Sequence, residues 1–146
     1  MKPEEIVDRI REAVGAEMMS LQFVEGNKLR LVASYGFDKA FGDFFAVVSM
    51  DDPTSCAAAF DRKAQIFAAD IFASPFFSGE PLEVLRAAGV RSVISTPLMS
   101  RGDEQLGILS IHRSTVWHIT SAELKQITQL CQQISLSLSA KSRAPA

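Results

Sequence analysis

Residues 91–112 read RSVISTPLMSRGDEQLGILSIH, and this stretch decides the fold class. Two apolar runs, Arg91–Met99 and Gln105–His112, are separated by the polar sequence Ser100-Arg101-Gly102-Asp103. Such a pattern is typical of a β-hairpin. Pro97 cannot donate a ladder hydrogen bond, so we expect the first strand to be bulged or to lie at a sheet edge there.

A second hairpin is predicted near the N-terminus. Residues 18–24 alternate between apolar and polar side chains, Glu25-Gly26-Asn27 suits a turn, and residues 28–35 alternate again. Alternation with a period of two predicts strands with one buried face. Together with a short run before Ala69, the predicted strands are Met18–Val24, Lys28–Tyr35, Gln65–Ala68, Arg91–Met99 and Gln105–His112.

Helices are predicted at both ends and within the long connection. An amphipathic helix starts at Pro3, and Asp51-Asp52-Pro53 offers an N-cap and a first-turn proline for a helix that reaches Arg62. Residues 80–88 form another, and Thr120 begins the last helix with a capping box. We predict one domain over residues 1–140, followed by a frayed tail over residues 141–146.

Composition excludes several classes of protein. The 146 residues have a formal net charge of −2 and no run of Lys or Arg, which argues against a nucleic-acid surface. No segment approaches the roughly 18 apolar residues of a membrane span, and the first residues lack a signal-peptide core. We expect a cytoplasmic protein without nucleic-acid or membrane partners. Cys56 and Cys131 are expected to be free thiols, and no metal-site spacing is found.

Several local sequences resemble those of GAF domains from bacterial sensor histidine kinases and related signalling proteins. They are residues 29–37 (LRLVASYGF), 88–93 (AGVRSV), 95–98 (STPL) and 106–110 (LGILS). The resemblance covers nearly the whole chain. It implies an α+β fold with a central antiparallel sheet of five or six strands, the terminal helices on one face, and a helical and loop crossover that caps a pocket on the other.

The signatures of three groups within that family do not match this sequence. Cyclic-nucleotide members carry an Asn-Lys-Phe-Asp-Glu set, where this chain has Arg113, Ser114 and Ile119 at the first three positions. Bilin-binding members have a Cys that is commonly followed by His, whereas Cys56 is followed by alanines. Free methionine sulfoxide reductases use several nearby cysteines, whereas Cys131 belongs to the last helix. The cofactor therefore remains unknown.

Nine of the ten phenylalanines lie between Phe37 and Phe77, in the connection between the two hairpins. Surface connections are usually polar, so these rings must fold back and bury themselves. The residues alone suit a ligand pocket and a plain packed cap equally, and the family resemblance favours the pocket. The candidate ligand-binding residues are Phe41, Phe44, Phe45, Cys56, Phe60, Asp70, Phe76, Phe77, Ser95, Ser110 and His112. Such walls imply a small, largely apolar or aromatic ligand.

Three polar residues also have simpler interpretations. Cys56 lies near a helix start, where a thiol can be redox-active, yet free Cys usually acts as a small apolar residue that lets a helix approach a sheet. His112 suits a hydrogen-bonded structural role, and His118 suits a solvated loop.

The last helix has an apolar stripe wider than one sheet contact requires. Its apolar positions are spaced 3-4-3-4, as in a coiled-coil seam. We therefore expect a homodimer through the terminal helices. The candidate interface residues are Ile6, Ile10, Leu124, Ile127, Cys131, Ile134 and Leu138.

These observations predict a sensory or regulatory module that binds a small molecule and relays its occupancy to a signalling partner, such as a kinase or another output domain. No Ser-His-Asp order, phosphate loop, carboxylate pair or metal motif stands out, so we predict no catalytic residues and no catalysis. A ligand-free dimerisation and relay module is the main alternative. A thiol-based methionine sulfoxide reductase is a weaker one.

Overall fold

The computed structural model describes residues 1–142 and contains six strands, five α-helices and one short 3₁₀ helix within that range. In chain order they are α1 Pro3–Val14, β1 Met18–Glu25, β2 Lys28–Tyr35, α2 Lys39–Phe44, β3 Val47–Ser49, α3 Ser55–Arg62, β4 Ile66–Ala68, the 3₁₀ helix Ile71–Ala73, α4 Gly79–Ala87, β5 Ser92–Met99, β6 Gln105–Arg113 and α5 Ser121–Ser142.

The strands form one antiparallel sheet in the order β3-β2-β1-β6-β5-β4. The two predicted hairpins, β1–β2 and β5–β6, lie side by side because β1 pairs with β6. Gly107 lies opposite Phe23, where a Cβ would approach the carbonyl oxygen of Gln22 to 2.3 Å, so the close approach of β1 and β6 requires glycine. The predicted α+β fold class is confirmed.

The terminal helices α1 and α5 cover one face of the sheet. Alternate apolar residues of the central strands point to them, including Met19, Leu21, Leu109 and Ile111, and Trp117 closes this core beside them. Burial of such side chains stabilises the fold by about 1.5–3 kcal/mol each.

The opposite face is covered by the crossover between the two hairpins. Helices α2, α3 and α4 contribute Phe41, Ala57, Phe60 and Leu85 to a second core that packs on the sheet. Ala57 and Ala59 of α3 are fully buried and Ala58 is half-buried, which agrees with the prediction that small residues let this helix approach the strands.

Local signals in the crossover were partly misread. The helix predicted from Asp51-Asp52-Pro53 starts later, because Thr54 is its N-cap and accepts from the backbone N–H of Ala57 at 3.2 Å. Asp52 instead accepts from the backbone N–H of Ser49 at 2.9 Å.

Pro97 lies in an inner strand, but β4 pairs with β5 only as far as Ser95, so no strand pairs with the Pro97 segment on that side.

The last helix extends to Ser142, two residues beyond its predicted end. The rest of the predicted frayed tail, residues 143–146, lies outside the described residues. No helix within residues 1–142 is both long enough and apolar enough to cross a lipid bilayer.

Most of the predicted dimer seam belongs to the core of this chain. The side chains of five candidates are at most 3% exposed and pack between the helices and the sheet: Ile6, Ile10, Ile127, Cys131 and Ile134. They are not available to a second copy, so their assignment to a dimer interface is wrong. A helix lying on a sheet buries a stripe with the same spacing as a coiled-coil seam. Leu124 is 37% exposed and Leu138 is half-buried.

Candidate functional site

The central strands present a polar face to the crossover. Ser20 and Gln22 of β1 and Ser110 and His112 of β6 point to this side, since they alternate with apolar residues that face the terminal helices. Ser20 and Ser110 are direct partners in the ladder. All four side chains are buried, so this face is polar without being solvated.

A chain of hydroxyl groups ties this floor to α3. Ser110 Oγ lies 2.7 Å from Ser95 Oγ on β5, and Ser95 Oγ lies 2.8 Å from Ser55 Oγ at the start of α3. All three residues are buried. Each hydroxyl can donate one bond and accept others, so the chain satisfies polar groups that would otherwise destabilise the interior.

Aromatic rings form the roof above the polar floor. The rings of Phe37 and Phe41 stack with centroids 3.6 Å apart, and the Phe41 and Phe45 centroids are 4.8 Å apart. The edge of His112 meets this column, with its centroid 5.0 Å from that of Phe37. The apolar residues that line the space between roof and floor are Leu31, Phe41, Phe45, Phe77 and Leu85.

The space between roof and floor is narrow. It measures about 340 Å³ including its mouth, of which only about 20 Å³ can be occupied by the centre of a water-sized molecule. A single water needs roughly 10–15 Å³ by that measure. A larger ligand therefore requires side chains of the roof to move.

Cys56 lies at the end of the cavity formed by α3. Its Sγ accepts a hydrogen bond from Gln22 Nε2 at 3.6 Å and lies 3.2 Å from Thr54 Oγ1. Burial raises the pKa of the Cys56 thiol, and the contacts with Thr54 and Gln22 oppose this only in part. The residue is therefore a neutral thiol and a weak nucleophile.

His112 is also neutral. Burial lowers the pKa of its imidazole to about 3, and a hydrogen bond to the backbone of Met18 opposes the shift only in part. Its Nδ1 has no hydrogen-bond partner, and neither has Oε1 of Gln22. His112 therefore has the hydrogen bond expected of a structural residue, together with one ring nitrogen that has no partner. Unsatisfied buried groups of this kind favour a ligand or water that completes them.

No Asp, Glu, Lys or Arg lines the cavity among the described residues. Asp70 instead forms a bidentate ion pair with Arg91. Arg91 Nε donates to Asp70 Oδ1 at 2.9 Å, and Arg91 Nη2 donates to Asp70 Oδ2 at 2.8 Å. Hydrogen bonding to Arg91 lowers the pKa of Asp70. Asp70 also accepts from the backbone N–H of Phe72. Asp70 thus lies outside the cavity wall and is held by Arg91.

A family model of the GAF domain matches residues 4–138. The chain belongs to the GAF family. The family resemblance inferred from residues 29–37, 88–93, 95–98 and 106–110 is thereby confirmed, and the six-stranded sheet is that of a GAF fold.

Solved structures agree with this assignment. A GAF domain/HD domain protein from Geobacter sulfurreducens has a TM-score of 0.79 at 16% identity, over 97% of this chain and 93% of that chain. A domain described as part of a two-component sensor histidine kinase protein from Sinorhizobium meliloti has a TM-score of 0.75 at 18% identity, over 96% and 94%.

An enzyme also shares the fold. A type II free methionine-R-sulfoxide reductase from Thermoplasma acidophilum has a TM-score of 0.71 at 15% identity, over 90% of this chain and 86% of that chain. At these identities the likeness shows the fold and no more. Comparison with curated proteins gives no significant match.

The structure brings six of the eleven candidate ligand residues of this GAF domain to the cavity wall: Phe41, Phe45, Cys56, Phe77, Ser110 and His112. Ser95 lies one hydrogen bond behind the wall. Three phenylalanines lie elsewhere, because Phe44 packs edge-on against Phe45, Phe60 is a core residue, and Phe76 lies under the guanidinium of Arg62.

Sequence reasoning missed half of the wall of this GAF domain. The missed residues are Ser20, Gln22, Leu31, Thr54, Ser55 and Leu85. For Ser20 and Gln22 a signal was present, because Ser110 and His112 show the same alternation on the strand that pairs with β1. Polar residues that lie on the same side of two paired central strands indicate one polar face of the sheet.

The two thiols of this GAF domain lie on opposite sides of the sheet. Cys56 contacts the cavity, whereas Cys131 is buried on the side of α5 that faces the sheet, where burial raises its pKa to about 12. They are therefore not placed to form a disulfide with each other. The described residues contain no group of three His, Cys, Asp or Glu side chains that could hold a metal ion.

Proposed function

We propose that this GAF domain is a non-catalytic sensor module that binds a small, largely aromatic or apolar molecule between the sheet and the crossover. The observation that carries the proposal is the buried polar floor, in which Gln22 Oε1 and His112 Nδ1 lack partners beneath an aromatic roof. Buried acceptors or donors without partners destabilise the empty domain, so a ligand that completes them gains affinity.

Ligand entry requires the roof to open. The roof ring of Phe41 belongs to α2 and that of Phe45 follows it directly, and the next element is the edge strand β3, which has only three residues and pairs only with β2. Short edge elements separate from a sheet at lower free energy than central strands do. The proposed movement is a displacement of Phe41 and Phe45 with α2, while the floor on β1 and β6 stays in place.

Signal output is proposed to pass through the terminal helices to a kinase or other output domain in the same assembly. We also propose a homodimer, formed by the outward side of α5. Leu136 is 47% exposed and Leu124 is 37% exposed on that helix, whereas Leu138 packs against the core. Leu136 and Leu124 replace the buried stripe as the proposed contact.

Thiol chemistry is the reason to consider an enzyme, and the electrostatics argue against it. A reductase needs a thiolate to attack the sulfoxide, but burial raises the pKa of Cys56. Cys131 is buried on the other side of the sheet and cannot resolve an oxidised Cys56 without a large rearrangement. We expect no turnover of free methionine sulfoxide by the purified domain with dithiothreitol as reductant.

The narrowness of the cavity favours one alternative, a ligand-free relay that acts through dimerisation alone. A thermal-shift screen of metabolites and nucleotides, followed by native mass spectrometry of each hit, separates the two. Ser20→Leu should fill the cavity and abolish the shift caused by a hit. Ser34→Leu is the matched control, because Ser34 is exposed and lies opposite Ser20 in the β1–β2 ladder.

A hit that stabilises wild type and the Ser34→Leu variant, but not Ser20→Leu, supports the sensor. If no compound raises the melting temperature and no molecule co-purifies, the relay alternative replaces it.

A further inference from the structure

The cavity is lined by polar groups that carry no charge. None of its twelve lining residues is Asp, Glu, Lys or Arg. Seven of them are polar: Ser20, Gln22, Thr54, Ser55, Cys56, Ser110 and His112. His112 and Cys56 are the two that titrate, and burial keeps both in the neutral form. A carboxylate or ammonium group entering this space would lose its hydration without gaining a countercharge, which opposes binding of either.

Gln22 has the most unused hydrogen-bonding capacity in the floor. Its residue is 2% exposed, its Oε1 has no partner, and its Nε2 has only a sulfur acceptor, Cys56 Sγ at 3.6 Å. Sulfur is a weak acceptor, so this bond is easily exchanged for one to oxygen. One planar amide thus offers an acceptor and a donor side by side.

Gln22 makes no such pair of bonds with its neighbours. The hydroxyls of Ser110 and Ser95 bond to each other, and Ser95 bonds onward to Ser55. An amide can pair with another group that has a donor beside an acceptor, as when Gln pairs with the edge of adenine. His112, whose Nδ1 is also unpartnered, faces the same cavity.

We propose that the cavity recognises an uncharged ligand whose polar end is amide-like, with a hydrogen-bond donor beside an acceptor, and that Gln22 pairs with that group. This inference rests on ligand binding at the site proposed above and names the class of ligand. The aromatic roof contacts the apolar remainder of the molecule.

Four probes of similar size test this directly: benzamide, benzoate, benzylamine and toluene. They place an amide, an anion, a cation and no polar group on the same ring. Binding is measured at pH 7.5 by backbone amide chemical shifts of ¹⁵N-labelled protein, read at residues of the cavity wall. We expect benzamide to bind at least about tenfold more tightly than either charged probe, because a site built for hydrogen bonds rejects ligands that leave its groups unpaired.

The matched variants are Gln22→Met, which keeps the length of the side chain and removes the amide, and Gln129→Met on the exposed side of α5. Gln22→Met should weaken benzamide by about tenfold or more and leave toluene within about twofold. Gln129→Met should change neither.

Three outcomes would each overturn the ligand class while leaving ligand binding at the cavity intact. In the wild type, benzoate or benzylamine could bind as tightly as benzamide, or toluene could match benzamide. In Gln22→Met, the affinity for benzamide could be unchanged. Absence of binding by all four probes overturns it as well, and the metabolite screen then decides separately whether the cavity binds anything. The comparison among probes uses the wild type alone, so it stands even if Gln22→Met fails to fold.

Discussion

Mild acid should destabilise this domain through His112. Burial lowers its pKa to about 3 in the folded state, against about 6.5 in an unfolded chain. Between these values the unfolded state takes up a proton that the folded state does not. The free energy of unfolding therefore falls as the pH drops below about 6.5, and continues to fall until about pH 3.

The size of the effect follows from the two pKa values. Each pH unit inside the window lowers the free energy of unfolding by about 1.4 kcal/mol, so the loss between pH 7.5 and pH 5 is about 2 kcal/mol. The pKa values of Asp70 and Glu123 are also lowered in the folded state, by the Arg91 hydrogen bond and by the Thr120 backbone respectively. Their contributions are lost only as the pH falls below their unfolded pKa values of about 3.9 and 4.3, which lie below the range from pH 7.5 to pH 5.

Urea unfolding at pH 7.5, 6.5, 5.5 and 5.0 measures the effect, with the fluorescence of buried Trp117, the only tryptophan, as the signal. His112→Gln removes the titrating group and should flatten the dependence over this range. His118→Gln, in an exposed loop position, should keep the wild-type dependence. Parallel curves for wild type and His112→Gln would show that His112 does not cause the loss and would refute the reasoning.

Three further outcomes are expected. Gly107→Ala should lower the free energy of unfolding in urea by more than about 2 kcal/mol or prevent folding, since its Cβ would collide with the carbonyl oxygen of Gln22. Gly102→Ala is the control and should have little effect, because its Cβ would meet no atom nearer than 3.9 Å. Ser95→Ala should cost about 1–3 kcal/mol by the same assay, because two buried hydroxyls lose their shared partner. Leu136→Asp should weaken the proposed dimer in light scattering without a change in circular dichroism, and a wild-type monomer at high concentration would contradict that contact.

The hairpins could be predicted from sequence because alternation reports directly on which side of a strand is buried. Residues 28–35 were predicted with their observed bounds, and the other four predicted strands agree within one residue at each end. Strand β3 and helix α2 were missed. Three and six residues are too short to show a period, and their position depends on packing against β2 and α4.

The floor of the cavity shows where the alternation rule is insufficient. Ser20 and Gln22 alternate with apolar residues as if they faced water, yet both are buried. Period-two patterning tells which residues share a face, but not whether a polar face is solvated or covered by another layer. The crossover that covers it is distant in sequence, so only the three-dimensional arrangement shows that Ser20 and Ser110 belong to one site.

The last helix shows the same limit for interfaces. Its 3-4-3-4 stripe was read as a seam between two copies, and three of its five residues, Ile127, Cys131 and Ile134, lie in the core of one chain. A stripe states that a face is covered but not by which surface. Leu136 was outside the candidate set because it breaks that spacing, although its side chain is more exposed than those of the candidates Leu124 and Leu138.

Strand β5 offers a route by which the two faces of the sheet can communicate. Ser95 belongs to the hydroxyl chain of the cavity, and the next residue, Thr96, points to the other face. Gln65 Nε2 lies 2.9 Å from Thr96 Oγ1 and 3.3 Å from Thr128 Oγ1 on α5. A ligand that displaces the backbone of Ser95 moves that of Thr96 with it, since consecutive residues of a strand share one rigid peptide plane. The contacts that Gln65 makes with Thr96 and with Thr128 on α5 would then change, although the ligand does not touch α5. A ligand shifts a population of conformations only through an interaction that differs between them.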